Sequence, residues 1–368
     1  MPLPKLTLGI EEEYQIIDPV TRELAPYSEE LISRGEVILG DQIKPELMRS
    51  QVEVGSRVCR DVGEARAEVV RLRGTIHRLA EEHGLAMAAA STHPFSKWSE
   101  QKLTSADRYE KLEADLRDVA RRLLIFGMHV HVGIEDPELR IDVMNQARYF
   151  VPHLLALSTS SPFWHGRETG LKSYRSVIFE NMPRTGIPPV FSSYSEYGAF
   201  LETLIKTRCI DEPTKIWWDI RPHPKFPTLE FRVADVCTRV DEVVCLAAIL
   251  QALVAKLIKL REANRSWRLY RHHLIVENKW RAVRYGLDGR LIDFGKKQEV
   301  PLRELALELL EMIDDVVDSL GTRKEVDYLH TLLAHGSSAD RQLAVYRETG
   351  SLEGVVDRLI EESREGCT

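Results

Sequence analysis

Glu11 and Glu13 are the first residues whose spacing suggests chemistry. They sit one residue apart in Leu8-Gly9-Ile10-Glu11-Glu12-Glu13-Tyr14, and in a strand residues i and i+2 point to one face. Leu8, Ile10 and Tyr14 then share the opposite face with Glu12. Two carboxylates side by side repel, so something must compensate them. The pattern recurs in Gln51-Val52-Glu53-Val54-Gly55, where Glu53 opposes the valines. In Gly127-Met128-His129-Val130-His131-Val132-Gly133, His129 and His131 share a face with two glycines. Leu229-Glu230-Phe231-Arg232-Val233 sets Glu230 and Arg232 against three apolar residues, and Trp217-Trp218-Asp219-Ile220-Arg221 puts Asp219 and Arg221 on one face.

If the apolar faces pack on helices, the polar faces meet on one concave surface holding Glu11, Glu13, Glu53, Glu230, His129, His131, Arg221 and Arg232. A plain solvent face would favour Lys, Ser and Thr. Lysine is absent from these faces and glutamate dominates. Converging carboxylates need cations, and hard oxygen donors with one imidazole suit magnesium or manganese. Guanidinium forks beside them suit phosphate or a substrate carboxylate. Carboxylates, divalent metal and arginine together form the apparatus of phosphoryl transfer from ATP. Arg221, His131 and Arg232 are the candidates for holding the nucleotide. No GxxxxGK[ST] or helix-opening GxGxxG occurs, so the nucleotide is expected to lie on the sheet.

The elements that must position these groups alternate along the first 240 residues. Strands are predicted at 6–17, 49–56, 85–91, 125–134, 176–181, 215–222 and 228–235. Helices are predicted at 61–83, 107–125, 138–157 and 195–207, with Gly84 ending the first. From about residue 241 the pattern is helical, at 241–263, 301–319, 323–334, 339–348 and 352–364. The class is α+β, and the whole chain is expected to be one catalytic domain. The helical C-terminal third, 241–368, shows no evident chemistry and reads as packing.

Composition narrows the function. A net charge of −7 argues against a nucleic-acid coat. Cys59, Cys209, Cys237, Cys245 and Cys367 contain no CxxC pair, which points to reduced thiols in the cytoplasm. The apolar stretch 243–260 is interrupted by Gln251, Lys256 and Lys259 and reads as a buried helix rather than a membrane span.

Gly9-Ile10-Glu11-Glu12-Glu13-Tyr14, Ala90-Ser91-Thr92-His93-Pro94, Gly127 to Gly133, and Trp218-Asp219-Ile220-Arg221-Pro222 leading to Thr228-Leu229-Glu230-Phe231-Arg232-Val233-Ala234-Asp235 resemble the type 2 glutamate–cysteine ligases, a family of carboxylate–amine ligases. The resemblance spans about residues 6 to 260. It implies a glutamine-synthetase-like fold, with an antiparallel sheet as the active-site floor backed by helices, and it implies ATP and Mg²⁺. Glu11, Glu13, Glu53 and Glu230 match metal-ligand positions, with Glu46 joining them. His129 matches a position near metals and phosphates, Arg232 a phosphate or acyl-phosphate contact, and Arg175 a further substrate or phosphate arginine. Glutamate and cysteine would be the acid and amine, and a homodimer is plausible.

The expected reaction is attack of a carboxylate on the γ-phosphorus of ATP, then attack of an amine on the acyl phosphate. Loops 91–105 and 165–190 are candidate covers against water. Two other chemistries stay open. A phosphagen-type kinase would use a related sheet, and a metal-dependent amidohydrolase would use His129 and His131 as an HxH zinc pair on a βα barrel.

Overall fold

Strand β1 (Leu8–Ile17) is the axis of the architecture. The computed structural model describes residues 5–27 and 29–367. Around β1 lie β2 (Ile43–Pro45), β3 (Gln51–Gly55), β4 (Ala86–Ala88), β5 (Met128–Gly133), β6 (Ile220–Pro222) and β7 (Thr228–Phe231). The order is β6-β7-β5-β1-β3-β2, with β4 pairing to β1, and every pairing is antiparallel. The expected antiparallel floor is therefore present. The described residues form no βα barrel, the scaffold an amidohydrolase HxH pair requires.

One face of this sheet is apolar and packed. Leu8, Ile10, Tyr14, Val52, Val54, Met128, Val130, Val132, Leu229 and Phe231 are all buried. Helices Val62–Glu82 and Val240–Glu262 cover them. The first opens on Asp61, whose carboxylate accepts from the Glu64 amide, and Gly84 follows its end at φ +69°, the left-handed conformation glycine adopts without strain. The second is long and apolar enough to cross a membrane, but most of it is buried inside the fold. It is a core helix.

Glu12 also points into this packed face, 2% exposed, and Arg73 of the helix Val62–Glu82 meets it at 0%. Arg73 Nη2 lies 2.5 Å from Glu12 Oε1 and Nε lies 3.2 Å from Oε2. The guanidinium also donates to the carbonyls of Thr238 (2.6 Å) and Cys237 (2.7 Å), while Tyr14 Oη donates to Glu12 at 2.8 Å. Both charges are thereby compensated in a medium where a lone charge would be very costly.

Several elements depart from sequence expectation. The predicted strand 176–181 is the helix Tyr174–Phe179. Val177 and Ile178 favour a strand locally, but Ser173 and Ser176 are tied down beside Asp235, so tertiary contacts override local propensity. The helix predicted over 107–125 breaks at Arg117, φ +49°, into Asp107–Leu116 and Asp118–Arg121. A 3₁₀ turn at Arg148–Phe150 divides 138–157. The predicted strand 215–222 splits: Trp217–Trp218 pairs in parallel with Thr185–Gly186, and only Ile220–Pro222 joins the main sheet. Helices Glu29–Leu39 and His272–Tyr285 and the hairpin Arg290–Asp293 with Gln298–Pro301 carried no prediction.

Arg73→Ala strands Glu12 in the core. It is expected to cost about 3–5 kcal/mol, measured by denaturant unfolding. A loss below ~1 kcal/mol, as at an exposed pair, would show that the contact does not anchor β1.

Candidate active site

The opposite face of the sheet carries the polar residues in three rows set by register. Arg221 pairs with Glu230, Glu230 with His131, and His131 with Gly9. One row on, Glu11 pairs with His129 and with Gly55. In the third, Glu13 pairs with Glu53, and Glu53 with Lys44. Of these, Arg221, Glu230, Glu11, His129, Glu13, Glu53 and Lys44 line a cavity of ≈ 550 Å³ that also includes Glu46, Arg175 and Arg232. His131 adjoins it through Glu11, its Nε2 lying 3.6 Å from Oε1. Every sequence-predicted site residue is thus gathered at one place.

Arg175 comes from the unpredicted helix Tyr174–Phe179 and lies over Gly127. A Cβ there would sit 2.7 Å from Arg175 Nη2, so glycine makes room for the guanidinium. Of the two predicted covering loops, 165–190 supplies Arg175, Phe179 and Met182 to the cavity. Segment 91–105 supplies no lining residue. Its His93 accepts from the amides of Phe95 and Ser96 and serves as a turn lock. The facing wall comes instead from Tyr109, Leu112, Leu123 and Ile125.

The charges compensate one another unevenly. Glu230, 1% exposed, takes Arg221 Nε at 2.7 Å and Arg232 Nη1 at 2.5 Å. Burial would raise its pKa, but Arg232 and Arg221 hold it far below the usual carboxylate range. Burial likewise opposes Glu11, yet His129 and His131 keep it well below its ordinary value. His129 Nδ1 donates to Glu11 at 2.9 Å. Burial and then Arg232 push His129 down to about 4, so its imidazole is neutral near pH 7. Burial also disfavours the His131 cation, but Glu11 and Glu230 hold its pKa above normal.

Glu13 has the least help. It accepts from Gly127 N and Gln51 Nε2, each at 2.8 Å. Burial and the facing Glu53 still push it up to about 7. Like charges directly opposite on a sheet are destabilising, and this pair is placed to gain from a divalent ion. Glu11, His131 and Glu230 each offer a donor atom within 4.8 Å of the others. Among the described residues His131 Nε2 is buried without a hydrogen-bond partner, since 3.6 Å to Glu11 is an ion-pair contact only. Hard oxygens with one imidazole fit magnesium or manganese. Arg175 Nε and Arg232 Nε are likewise buried donors without hydrogen-bond partners among the described residues.

Residues 7–362 match the model for "Glutamate-cysteine ligase family 2". The chain belongs to that family. It is an ATP-dependent carbon–nitrogen ligase. "Putative glutamate--cysteine ligase 2" of Roseiflexus castenholzii is 59% identical over 360 residues, covering 98% of this chain and 95% of the relative. The protein of the same name from Solibacter usitatus is 52% identical over 364 residues, covering 99% and 94%. Among solved structures, the Francisella tularensis glutamate–cysteine ligase in complex with AMP superposes with a TM-score of 0.71 at 14% identity, covering 100% of this chain and 91% of that one. A bifunctional glutathione synthetase from Pasteurella multocida gives 0.70 at 14%, covering 98% of this chain and 52% of that one. At such identity the likeness is one of fold.

The ligase also contains supports that sequence reasoning missed. Asp219 does not share the cavity face with Arg221. It sits where the chain switches sheets, its amide donating to Gly186 O at 2.9 Å and its carbonyl accepting from Arg232 N at 2.8 Å. Its carboxylate takes Lys279 Nζ at 2.9 and 2.8 Å, and the same ammonium lies 2.9 Å from Glu180, just beyond the helix that carries Arg175. Lys279 is 4% exposed and comes from the C-terminal helix His272–Tyr285, where packing alone was expected. No local pattern flags a lysine as buried. Asp235 organises the same region, accepting from Ser160 N (2.9 Å), Ser161 Oγ (2.7 Å) and Ser173 Oγ (2.8 Å). Ser161 Oγ in turn accepts from Arg175 N at 3.1 Å.

Two outcomes follow from these charges. Between pH 4.5 and about 7 the unfolded chain ionises Glu13 while the folded one keeps its proton, so metal-free stability falls across that window and then levels. Glu13→Gln removes this loss. In chelator its unfolding midpoint should match wild type at pH 4.5 and exceed it at pH 8; equal midpoints at pH 8 would refute the raised pKa. Lys279→Met and Asp219→Asn should each destabilise, and the double variant should fall short of their sum by about 1–3 kcal/mol. Additive losses in denaturant unfolding would show that the two residues do not act as a pair.

Proposed function

We propose that the ligase activates a small carboxylate as an acyl phosphate at the expense of ATP and transfers the acyl group to a small amine. Glutamate and cysteine, the substrates in the family's name, are the first pair to test. The observation that supports this reading is the meeting of Glu11, Glu13, Glu46, Glu53 and Glu230 with Arg175, Arg221 and Arg232 around one cavity. Glu11, Glu13, Glu53 and Glu230, with Glu46 and an imidazole of His129 or His131, would hold Mg²⁺, with Mn²⁺ as the alternative.

Bound magnesium would supply charge neutralisation for the phosphates. The remaining steps belong to the chain. Arg232 and Arg175, both lining the cavity, would bind the transferring phosphoryl group and the acid substrate. Arg221 keeps Glu230 ionised and in place. His129, neutral, steers Glu11 rather than adding positive charge. The apolar wall of Leu112, Leu123, Ile125 and Phe179 limits water near the acyl phosphate. The whole chain then works as one catalytic domain, with the helical C-terminal third holding the site together. Reduced thiols support a cytoplasmic setting; all five cysteines are free.

Incubation with glutamate, Mg·ATP and hydroxylamine should yield a hydroxamate that requires both metal and nucleotide. Glu230→Ala should cut that yield by at least ~100-fold with far-UV circular dichroism unchanged. Steady phosphate release across a panel of acids, with no hydroxamate from any of them, would overturn the acyl-phosphate route.

A further inference from the structure

The turn that joins β6 to β7 stands apart from the rest of the cavity rim. Phe226 is 56% exposed, unusual for a phenyl ring that is held rather than loose. Its ring stacks on His223 with centroids 4.6 Å apart and planes 11° from parallel. His223 in turn meets the His131 ring edge-on at 5.3 Å. The turn is locked from within: His223 Nδ1 accepts from Lys225 N at 3.2 Å and Phe226 N at 3.0 Å, and His223 N donates to Thr228 O at 2.9 Å. Pro222, Pro224 and Pro227 remove further freedom. His223, Lys225 and Phe226 all line the cavity.

A rigid aromatic step with one face covered and the other open has a flat-ring ligand as its natural partner. Its inner edge touches His131, in the cluster of Glu11, His131 and Glu230 where the cation-assisted phosphates would lie. Its outer edge is at the rim. A nucleoside triphosphate has this polarity, with charge at one end and a planar base at the other. Glutamate and cysteine have no ring to stack.

We propose that Phe226, backed by His223, is the stacking platform for the purine base of the nucleotide. This rests on the ATP-dependent reading above and extends it to the nucleotide-selecting residue. Base–aromatic stacking leaves the phosphates untouched, so the platform should separate ATP from a ligand that carries only the phosphates.

Calorimetric binding of Mg·ATP and of Mg·tripolyphosphate to wild type, Phe226→Ala and Phe226→Trp tests it without knowledge of the acid or amine. Phe226→Ala should weaken Mg·ATP by ~10-fold and leave Mg·tripolyphosphate within about twofold. Phe226→Trp should keep the ATP affinity, and ATP but not tripolyphosphate should perturb its indole fluorescence. Unchanged ATP affinity in Phe226→Ala, or equal weakening of both ligands, would overturn the platform while leaving the ligase reading intact. Failure of the wild type to bind either ligand would instead overturn that reading itself, and the platform with it.

Discussion

Three consecutive glutamates on the central strand impose the constraint that the rest of the structure answers. Alternation sends Glu12 to one side and Glu11 and Glu13 to the other, and each side must compensate what it receives. Below the sheet, Arg73 and Tyr14 neutralise and bond Glu12 inside the core. Above it, Glu11 takes two histidines, and Glu13 takes two neutral donors and a raised pKa. The buried pair fixes β1 against the helix Val62–Glu82. The upper carboxylates are thereby held in a geometry that sets Glu13 directly opposite Glu53. Stability on one face is coupled to an unsatisfied, function-ready arrangement on the other.

The helical C-terminal third does more than cover the core. Lys279 reaches the sheet switch at Asp219 and the end of the helix bearing Arg175. Gln342 Nε2 donates to Ser160 O at 2.8 Å, beside the serines that meet Asp235. Arg175 therefore owes part of its placement to residues more than a hundred positions further along the chain. That arrangement suits a site in which guanidinium groups must lie within hydrogen-bond reach of a small anion, because sub-ångström errors of position are costly there.

Charge inside the cavity is close to balanced, with Lys44, Lys215 and Lys225 joining the arginines against the glutamates. The balance is spatial rather than pairwise. Glu230 is oversupplied by two arginines, whereas Glu13 and Glu53 face one another. Arg175 and Arg232 also act on Glu13, so guanidinium and carboxylate groups interleave around the cavity. A metal–nucleotide complex, cationic at the ion and anionic at the phosphates, would be complementary to such a mixed lining.

The polar faces of β1, β3, β5 and β7 could be read directly from the sequence, because the two-residue period of a strand is a local property and Glu, His and Arg interrupt it visibly. The same holds for the long helices Val62–Glu82 and Val240–Glu262, whose caps and apolar runs are local signals. What the chain order could not reveal was decided by contacts between distant residues. The segment around Ser176 has the composition of a strand and becomes a helix because Asp235 anchors its start. Asp219 leaves the face its position assigns because the chain changes sheets there. Lys279 looks like any helical surface lysine until two carboxylates bury it. In each case the winning energy is the compensation of a buried charge or hydrogen-bonding group by a partner far along the chain, and such a partner exists only once the tertiary structure has formed.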